Sequence, residues 1–158
     1  MIRVLFVCLG NICRSPMAEA IFRNMVQEKG LAKDIEVDSA GTALWHTGKP
    51  PHEGTRGKLD EKGISYEGMT ARQVLQEDFK TFDYIITMDD SNMKNLQAEY
   101  EIPDQVVVKN LLDFVENPRE SNVPDPYYTG DFDYTYELVN EACEHLLKYM
   151  LKKYQIKG

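Results

Sequence analysis

The stretch Ile2-Arg3-Val4-Leu5-Phe6-Val7-Cys8-Leu9-Gly10-Asn11-Ile12-Cys13-Arg14-Ser15-Pro16 decides how the rest of the chain is read. Ile2 to Val7 is apolar apart from Arg3, the pattern of a parallel strand covered on both faces. Gly10 adopts positive φ without cost and Asn11 tolerates the left-handed region, so the chain can curl tightly after Cys8. Ser15 is an N-cap candidate and Pro16 a first-turn residue, after which Ala18, Ile21, Phe22, Met25 and Val26 recur at helical spacing up to Gly30. The prediction is strand, turn, helix. The turn's amides then converge above a helix N-terminus carrying roughly half a positive charge, which is a site for an oxyanion.

Working outward, Ile35-Glu36-Val37-Asp38-Ser39 alternates as a second strand before the loop Ala40-Gly41-Thr42. Tyr84 to Met88 reads as a third strand, followed by the capping run Asp89-Asp90-Ser91-Asn92 and a helix to about Tyr100. Val106-Val107-Val108 makes a short fourth. Thr55 to Lys62 predicts a short helix, and Tyr134 to Tyr154 a long one with Leu138, Val139, Ala142, Leu146, Tyr149 and Met150 on one stripe. Between Gly63 and Phe79 no periodicity is readable. Trp45, Gly48 and Pro50-Pro51 mark a surface loop, and Leu111 to Asp133 is long enough to suggest a functional connection. The fold class expected is α/β: one domain over residues 1–158, a doubly wound sheet of about four parallel strands with helices on both faces and a phosphate-binding loop after the first strand. Ligands of such sheets bind outside the carboxyl ends of the strands, where Cys8, Ser39 and Asp89 all fall.

A chain of 158 residues buries roughly 70% of its unfolded surface, enough for a core without metal or disulfide staples. A net charge of −8 argues against nucleic acid as a partner. No apolar run reaches the roughly 20 residues of a membrane span, and Met1-Ile2-Arg3 opens no leader pattern, so the expected location is the cytoplasm. Three cysteines make no secreted framework and are judged by reactivity or packing; Cys143, on the stripe of the last helix, belongs to the core. His46, His52 and His145 lack metal-ligand spacing and read as surface or helix residues. No metal and no cofactor is expected. Neither G-x-x-x-x-G-K-S/T nor G-x-G-x-x-G occurs, which excludes the common nucleotide loops.

Within the loop, Cys8 is the nucleophile candidate, because helix N-termini and nearby cations favour the reactive thiolate and the Ser15 hydroxyl lies within hydrogen-bonding reach. Arg14 adds a planar fork matched to two oxygens of a phosphoryl group. Transfer of that group also needs a proton for the leaving oxygen. Asp125, stiffened by Pro124 and Pro126, is the candidate acid, and Tyr127 and Tyr128 can wall the entrance for a flat aromatic substrate. The thiol loop alone fits a redox module, a reductase or a phosphatase; Asp125 favours the last.

These residues together resemble the low-molecular-weight protein tyrosine phosphatases. Their C-x5-R-S/T pattern stands at Cys8 to Ser15 and their D-P at Asp125-Pro126. Asp38 to Gly41, the Trp45 loop, Ala71-Arg72-Gln73 and Met88 to Asn92 occur in the same order. The resemblance implies Cys8 as nucleophile, Arg14 as phosphate clamp, Asp125 as general acid and then base, and Ser15 as a stabiliser of the thiolate. Leu9, Gly10, Asn11, Ile12 and Cys13 complete the phosphate-binding loop. Asn11 with Ser39 holds the loop in shape, and Asp89 orients that network or the arginine. Trp45 forms one side of the cleft. Cys13 can pair reversibly with Cys8 and shield it from irreversible oxidation. Ile12 offers apolar surface to an aromatic ring, where the protein-arginine phosphatase branch tends to place threonine. One departure is Gly68-Met69-Thr70, where many members carry a histidine that supports the loop. The implied activity is hydrolysis of phosphotyrosine in proteins through a cysteinyl-phosphate intermediate, by a monomer that also takes inorganic phosphate or other oxyanions. The alternatives are a protein-arginine phosphatase and a non-catalytic thiol module. An arsenate reductase of this fold needs a further resolving cysteine pair, which is absent.

Overall fold

The N-terminal apolar run forms β1 (Ile2–Cys8), which apart from exposed Arg3 is buried on both faces because its side chains divide between two cores. The structure, a computed structural model, describes residues 1–156. Val4, Phe6 and Cys8 point into a core shared with α1 (Arg14–Glu28) and α6 (Phe132–Lys153), while Leu5 and Val7 meet Phe79 of α3 (Asp78–Thr81) and Leu96 of α4 (Asp90–Glu99). This double burial is why the strand reads as continuous rather than alternating. With β2 (Ile35–Gly41), β3 (Tyr84–Thr87) and β4 (Val107–Asn110), β1 builds a four-stranded parallel sheet in the order β2-β1-β3-β4. The doubly wound α/β class is as expected. Register places Cys8 beside Gly41 and Val7 beside Thr87, so the loop after β1 leaves the sheet at its centre, flanked by the ends of β2 and β3.

Several boundaries differ from expectation for local reasons. Helix α1 begins at Arg14 with Cys13 at its N-cap, so Ser15 lies inside the first turn and is not the cap. Its hydroxyl is engaged by Cys8 and Asn11 instead. Strand β4 starts and ends later than the valine run, and Asn110 at its end accepts a hydrogen bond from the Thr87 hydroxyl. The unreadable stretch before α3 is held edge-on to β2: Gly41 N donates to Arg72 O and Val74 N to Gly41 O. Pairing with a loop leaves no side-chain period to read. The connection after β4 is tied down by a 3-10 turn at Leu111–Phe114, by buried Val123 and by a one-turn helix, α5 (Pro126–Thr129). The remaining helix, α2 (Glu53–Glu61), packs on α1 and α6. Cys143 is fully buried, as expected, and burial pushes its thiol pKa up. Among the described residues no helix is long and apolar enough to cross a membrane.

Candidate active site

The loop from Leu9 to Cys13 is fixed from outside by its carbonyls. Cys8 O accepts from Thr42 N at 2.9 Å, Leu9 O from Ala43 N at 2.9 Å, Ile12 O from His52 N at 2.6 Å and Cys13 O from the Thr55 hydroxyl at 3.1 Å. With its carbonyls turned outward, the loop's amides turn inward. Among the described residues, none of the N–H groups of Leu9 through Cys13 donates to a protein acceptor. The curl depends on Asn11 at φ 56° and on close approach at Gly41, where a Cβ would lie 2.8 Å from Leu9 O. The amides and the start of α1 together form an anion cradle with Cys8 at its rim.

Side chains hold this conformation from below. The Asn11 carboxamide accepts from Arg72 N at 2.9 Å and donates to Ser15 Oγ at 2.8 Å and Ser39 Oγ at 2.9 Å. Ser15 Oγ lies 3.0 Å from Cys8 Sγ. Met69, at the position where a supporting histidine is usual in the resembling family, packs half-buried against the apolar core. The Arg72 amide supplies the donor that Asn11 Oδ1 needs, so the loop keeps its support.

Arg14 is 2% exposed and lies beneath the loop. Its Nη1 donates to Asp89 Oδ2 at 2.6 Å and to Val123 O at 2.9 Å, its Nη2 lies 3.4 Å from Asp125 Oδ2, and its buried Nε has no partner among the described residues. Burial opposes the charge, but the Cys8 sulfur, Asp89 and Asp125 outweigh it, and the guanidinium pKa is raised. Asp89 is thus both the N-cap of α4, accepting from Asn92 N, and the anchor of one arginine edge. Asp125 caps α5 by accepting from Tyr127 N at 3.0 Å, and its loop is pinned to the end of β3 by Val123 N donating to Met88 O.

The cleft above is lined by Cys8, Gly10, Ile12, Trp45, Asp125 and Tyr127, among others, with Tyr128 at its mouth. Trp45 and Tyr128 are 65% and 72% exposed, so their rings stand as walls rather than core. Cys13 also borders the cleft, yet burial, followed by the charges of Cys8 and Asp125, pushes its thiol up to about 12, so it is a neutral thiol at physiological pH. Of the residues expected at the site, Cys8, Leu9, Gly10, Ile12, Cys13, Trp45, Asp125, Tyr127 and Tyr128 line this cleft, while Asn11, Arg14, Ser15, Ser39 and Asp89 are joined to them by the hydrogen bonds above.

Sequence reasoning missed four contributors. His46, read as a surface residue, lies against the loop: a Cβ on Gly10 would come within 2.9 Å of its ring. His52, read likewise, accepts from Gly54 N as the N-cap of α2 and stacks on Phe132. Arg72 and Glu19 support Asn11 and Ser39. Only Glu19 carried a local signal, a carboxylate one turn beyond Ser15 on the buried face of α1.

Comparison with known proteins gives one family. The family model described as low molecular weight phosphotyrosine protein phosphatase matches residues 3–156. The low molecular weight protein-tyrosine-phosphatase YfkJ of Bacillus subtilis is 52% identical over 156 residues, covering 99% of this chain and 100% of YfkJ. PtpA of Staphylococcus epidermidis, of the same description, is 48% identical over 158 residues, covering 99% of both chains. The crystal structure of YfkJ superposes with a TM-score of 0.94 over 97% of this chain and 96% of that one.

Proposed function

The chain belongs to the low molecular weight phosphotyrosine protein phosphatase family and is a protein tyrosine phosphatase, and on that premise we propose how its residues share the reaction. Cys8 Sγ attacks the phosphorus of a phosphotyrosine side chain; the P–S bond forms as the P–O bond to the ring breaks, and Asp125 gives its proton to the leaving phenolic oxygen. Asp125, now a carboxylate, takes a proton from water as that water attacks the phosphocysteine. The P–S bond breaks, inorganic phosphate leaves, and the thiolate is restored.

The observation that carries this assignment is the buried, unpartnered Nε of Arg14. An unsatisfied buried donor costs about 1–3 kcal/mol. Because Nη1 is committed to Asp89 and Val123, the edge left for a ligand is the Nε–Nη2 fork, the shape that matches two phosphoryl oxygens. The inward amides of Leu9 to Cys13 take the remaining negative charge, which is greatest in the transition state. Inorganic phosphate and other oxyanions compete for the same cradle.

Substrate choice follows from depth. Trp45, Tyr127 and Tyr128 hold the substrate backbone away from Cys8, so a phosphate carried on an aryl ring reaches the sulfur and one on a short aliphatic side chain does not. Ile12, 8% exposed, offers that ring an apolar contact. With the enzyme in EDTA and reductant, a phosphotyrosine peptide is expected to be hydrolysed at least about tenfold faster, in kcat/KM, than the matching phosphoarginine peptide. The reverse preference identifies an arginine phosphatase, and hydrolysis of neither leaves the Cys8–Cys13 pair as a thiol module. We also propose a protective role for Cys13, as the partner Cys8 joins in a disulfide under oxidation, and a cytoplasmic location.

A further inference from the structure

Glu19 is 4% exposed, on α1 one turn beyond Ser15, and the reaction as written makes no use of it. Its Oε1 accepts from the Ser39 hydroxyl at 2.6 Å, and its Oε2 pairs with Nη2 of Arg23, which also donates to Val37 O at 2.9 Å. Burial raises the Glu19 pKa, against the Ser39 hydrogen bond and the Arg23 charge, which lower it. A buried carboxylate is retained only with such partners.

The directions of these bonds can be fixed one by one. Arg72 N can only donate, so Asn11 Oδ1 faces it and Nδ2 faces the two serines. Each serine oxygen therefore accepts from Asn11. Ser39 must place its single hydrogen elsewhere, and Glu19 Oε1 takes it. Ser15 must do the same, with Cys8 Sγ at 3.0 Å and Ala40 O at 3.4 Å as its choices. Donation therefore runs outward from Asn11 along two arms, one through Ser39 to Glu19 and one through Ser15 to Cys8 Sγ.

We propose that Glu19, paired with Arg23, is a positioning residue: by taking the Ser39 hydrogen it keeps Ser39 Oγ as an acceptor for Asn11, and so steadies the carboxamide whose other hydrogen holds Ser15 beside Cys8 Sγ. The inference rests on Cys8 being the nucleophile. Glu19 touches neither substrate nor sulfur; it secures one of the three hydrogen bonds that place the Asn11 carboxamide, the others being to Arg72 N and Ser15 Oγ. Replacing the carboxylate by an amide of the same shape reverses the bond to Ser39. In Glu19→Gln the Arg23 guanidinium attracts the carbonyl oxygen, so the amide N–H groups face Ser39 Oγ, which already accepts from Asn11. The Ser39 hydrogen then turns toward Asn11, which keeps Arg72 N but loses its Ser39 acceptor, and the Ser15 hydroxyl is held less firmly beside the sulfur.

The test uses the full chain, p-nitrophenyl phosphate and inorganic phosphate. Glu19→Gln is expected to lower kcat about tenfold, the scale of one hydrogen bond to a charged group, while the inhibition constant for inorganic phosphate stays within about twofold. Because the effect passes through Ser15, adding Glu19→Gln to Ser15→Ala costs little further. Adding Arg23→Met to Glu19→Gln frees the carboxamide to turn its oxygen back to Ser39 and restores most of kcat. Unchanged kcat in Glu19→Gln, losses that multiply with Ser15→Ala, or no recovery with Arg23→Met each overturn the proposal. A parallel loss of phosphate binding does so as well, since it marks a collapsed loop. Activity remaining in Cys8→Ser, measured alongside, is the separate sign that the nucleophile itself has been misassigned.

Discussion

Cys8→Ser protein is expected to hydrolyse p-nitrophenyl phosphate on the order of 10⁵-fold more slowly than wild type, the scale on which removal of a covalent nucleophile acts. The hydroxyl has no base to activate it there. Among the described residues the one side-chain partner at the sulfur is Ser15 Oγ, itself already accepting from Asn11, and Asp125 is turned toward Arg14 and the Tyr127 amide. The cradle does not depend on the sulfur, because the loop carbonyls are held by Thr42, Ala43, His52 and Thr55. Inorganic phosphate should therefore bind the variant about as well as it binds wild type, as measured by calorimetry. Catalysis lost with binding kept is the pattern of a missing nucleophile; a rate near wild type contradicts the role of Cys8.

Asp125→Ala separates the two halves of the reaction. Loss of the acid should lower kcat/KM about 10²–10³-fold for phenyl phosphate or a phosphotyrosine peptide, whose leaving oxygens need the proton. The loss should be much smaller for p-nitrophenyl phosphate, whose anion leaves unaided. Comparing kcat/KM rather than kcat keeps the measurement on formation of the phosphoenzyme. Instability does not account for such a pattern. Asp125 is about one-fifth exposed, and its structural contributions are the α5 cap and a long contact to Arg14. A lost cap costs about 1 kcal/mol, a fall in Tm of about 2–4 °C in a chain of this size. Equal losses for both substrates would remove Asp125 from the acid role.

The sequence was most legible where local rules and tertiary structure ask for the same residues. An apolar run covered on both faces, then Gly10 and Asn11, then a helical period is enough to place Cys8 and Arg14 over a helix N-terminus. Legibility fell where a polar side chain has a choice of partners. Ser15 satisfies the rule for an N-cap, yet its hydroxyl serves the sulfur and Asn11, and Cys13 occupies the cap. Asp89 satisfies the same rule, does cap α4, and holds Arg14 as well. His46 and His52 had no readable partner because what they touch, Gly10 and Phe132, comes from remote parts of the chain. Met69 shows the reverse case. A histidine looked missing in the sequence, yet Asn11 Oδ1 has its donor in the Arg72 backbone amide, which no side-chain pattern reveals.

The central claim is a phosphoryl group carried on the Cys8 sulfur, and Asp125→Ala protein tests it most directly. An activated aryl phosphate still loads this variant, while the missing base slows attack by water, so the intermediate accumulates. Rapid acid quench after a short reaction with p-nitrophenyl phosphate, followed by proteolysis and mass spectrometry, should find one added phosphoryl group on the peptide that contains Cys8. It should be absent when Cys8→Ser is combined with Asp125→Ala. Product release with no phosphorylated Cys8 peptide at any quench time, or a phosphoryl group on another residue, would contradict the account.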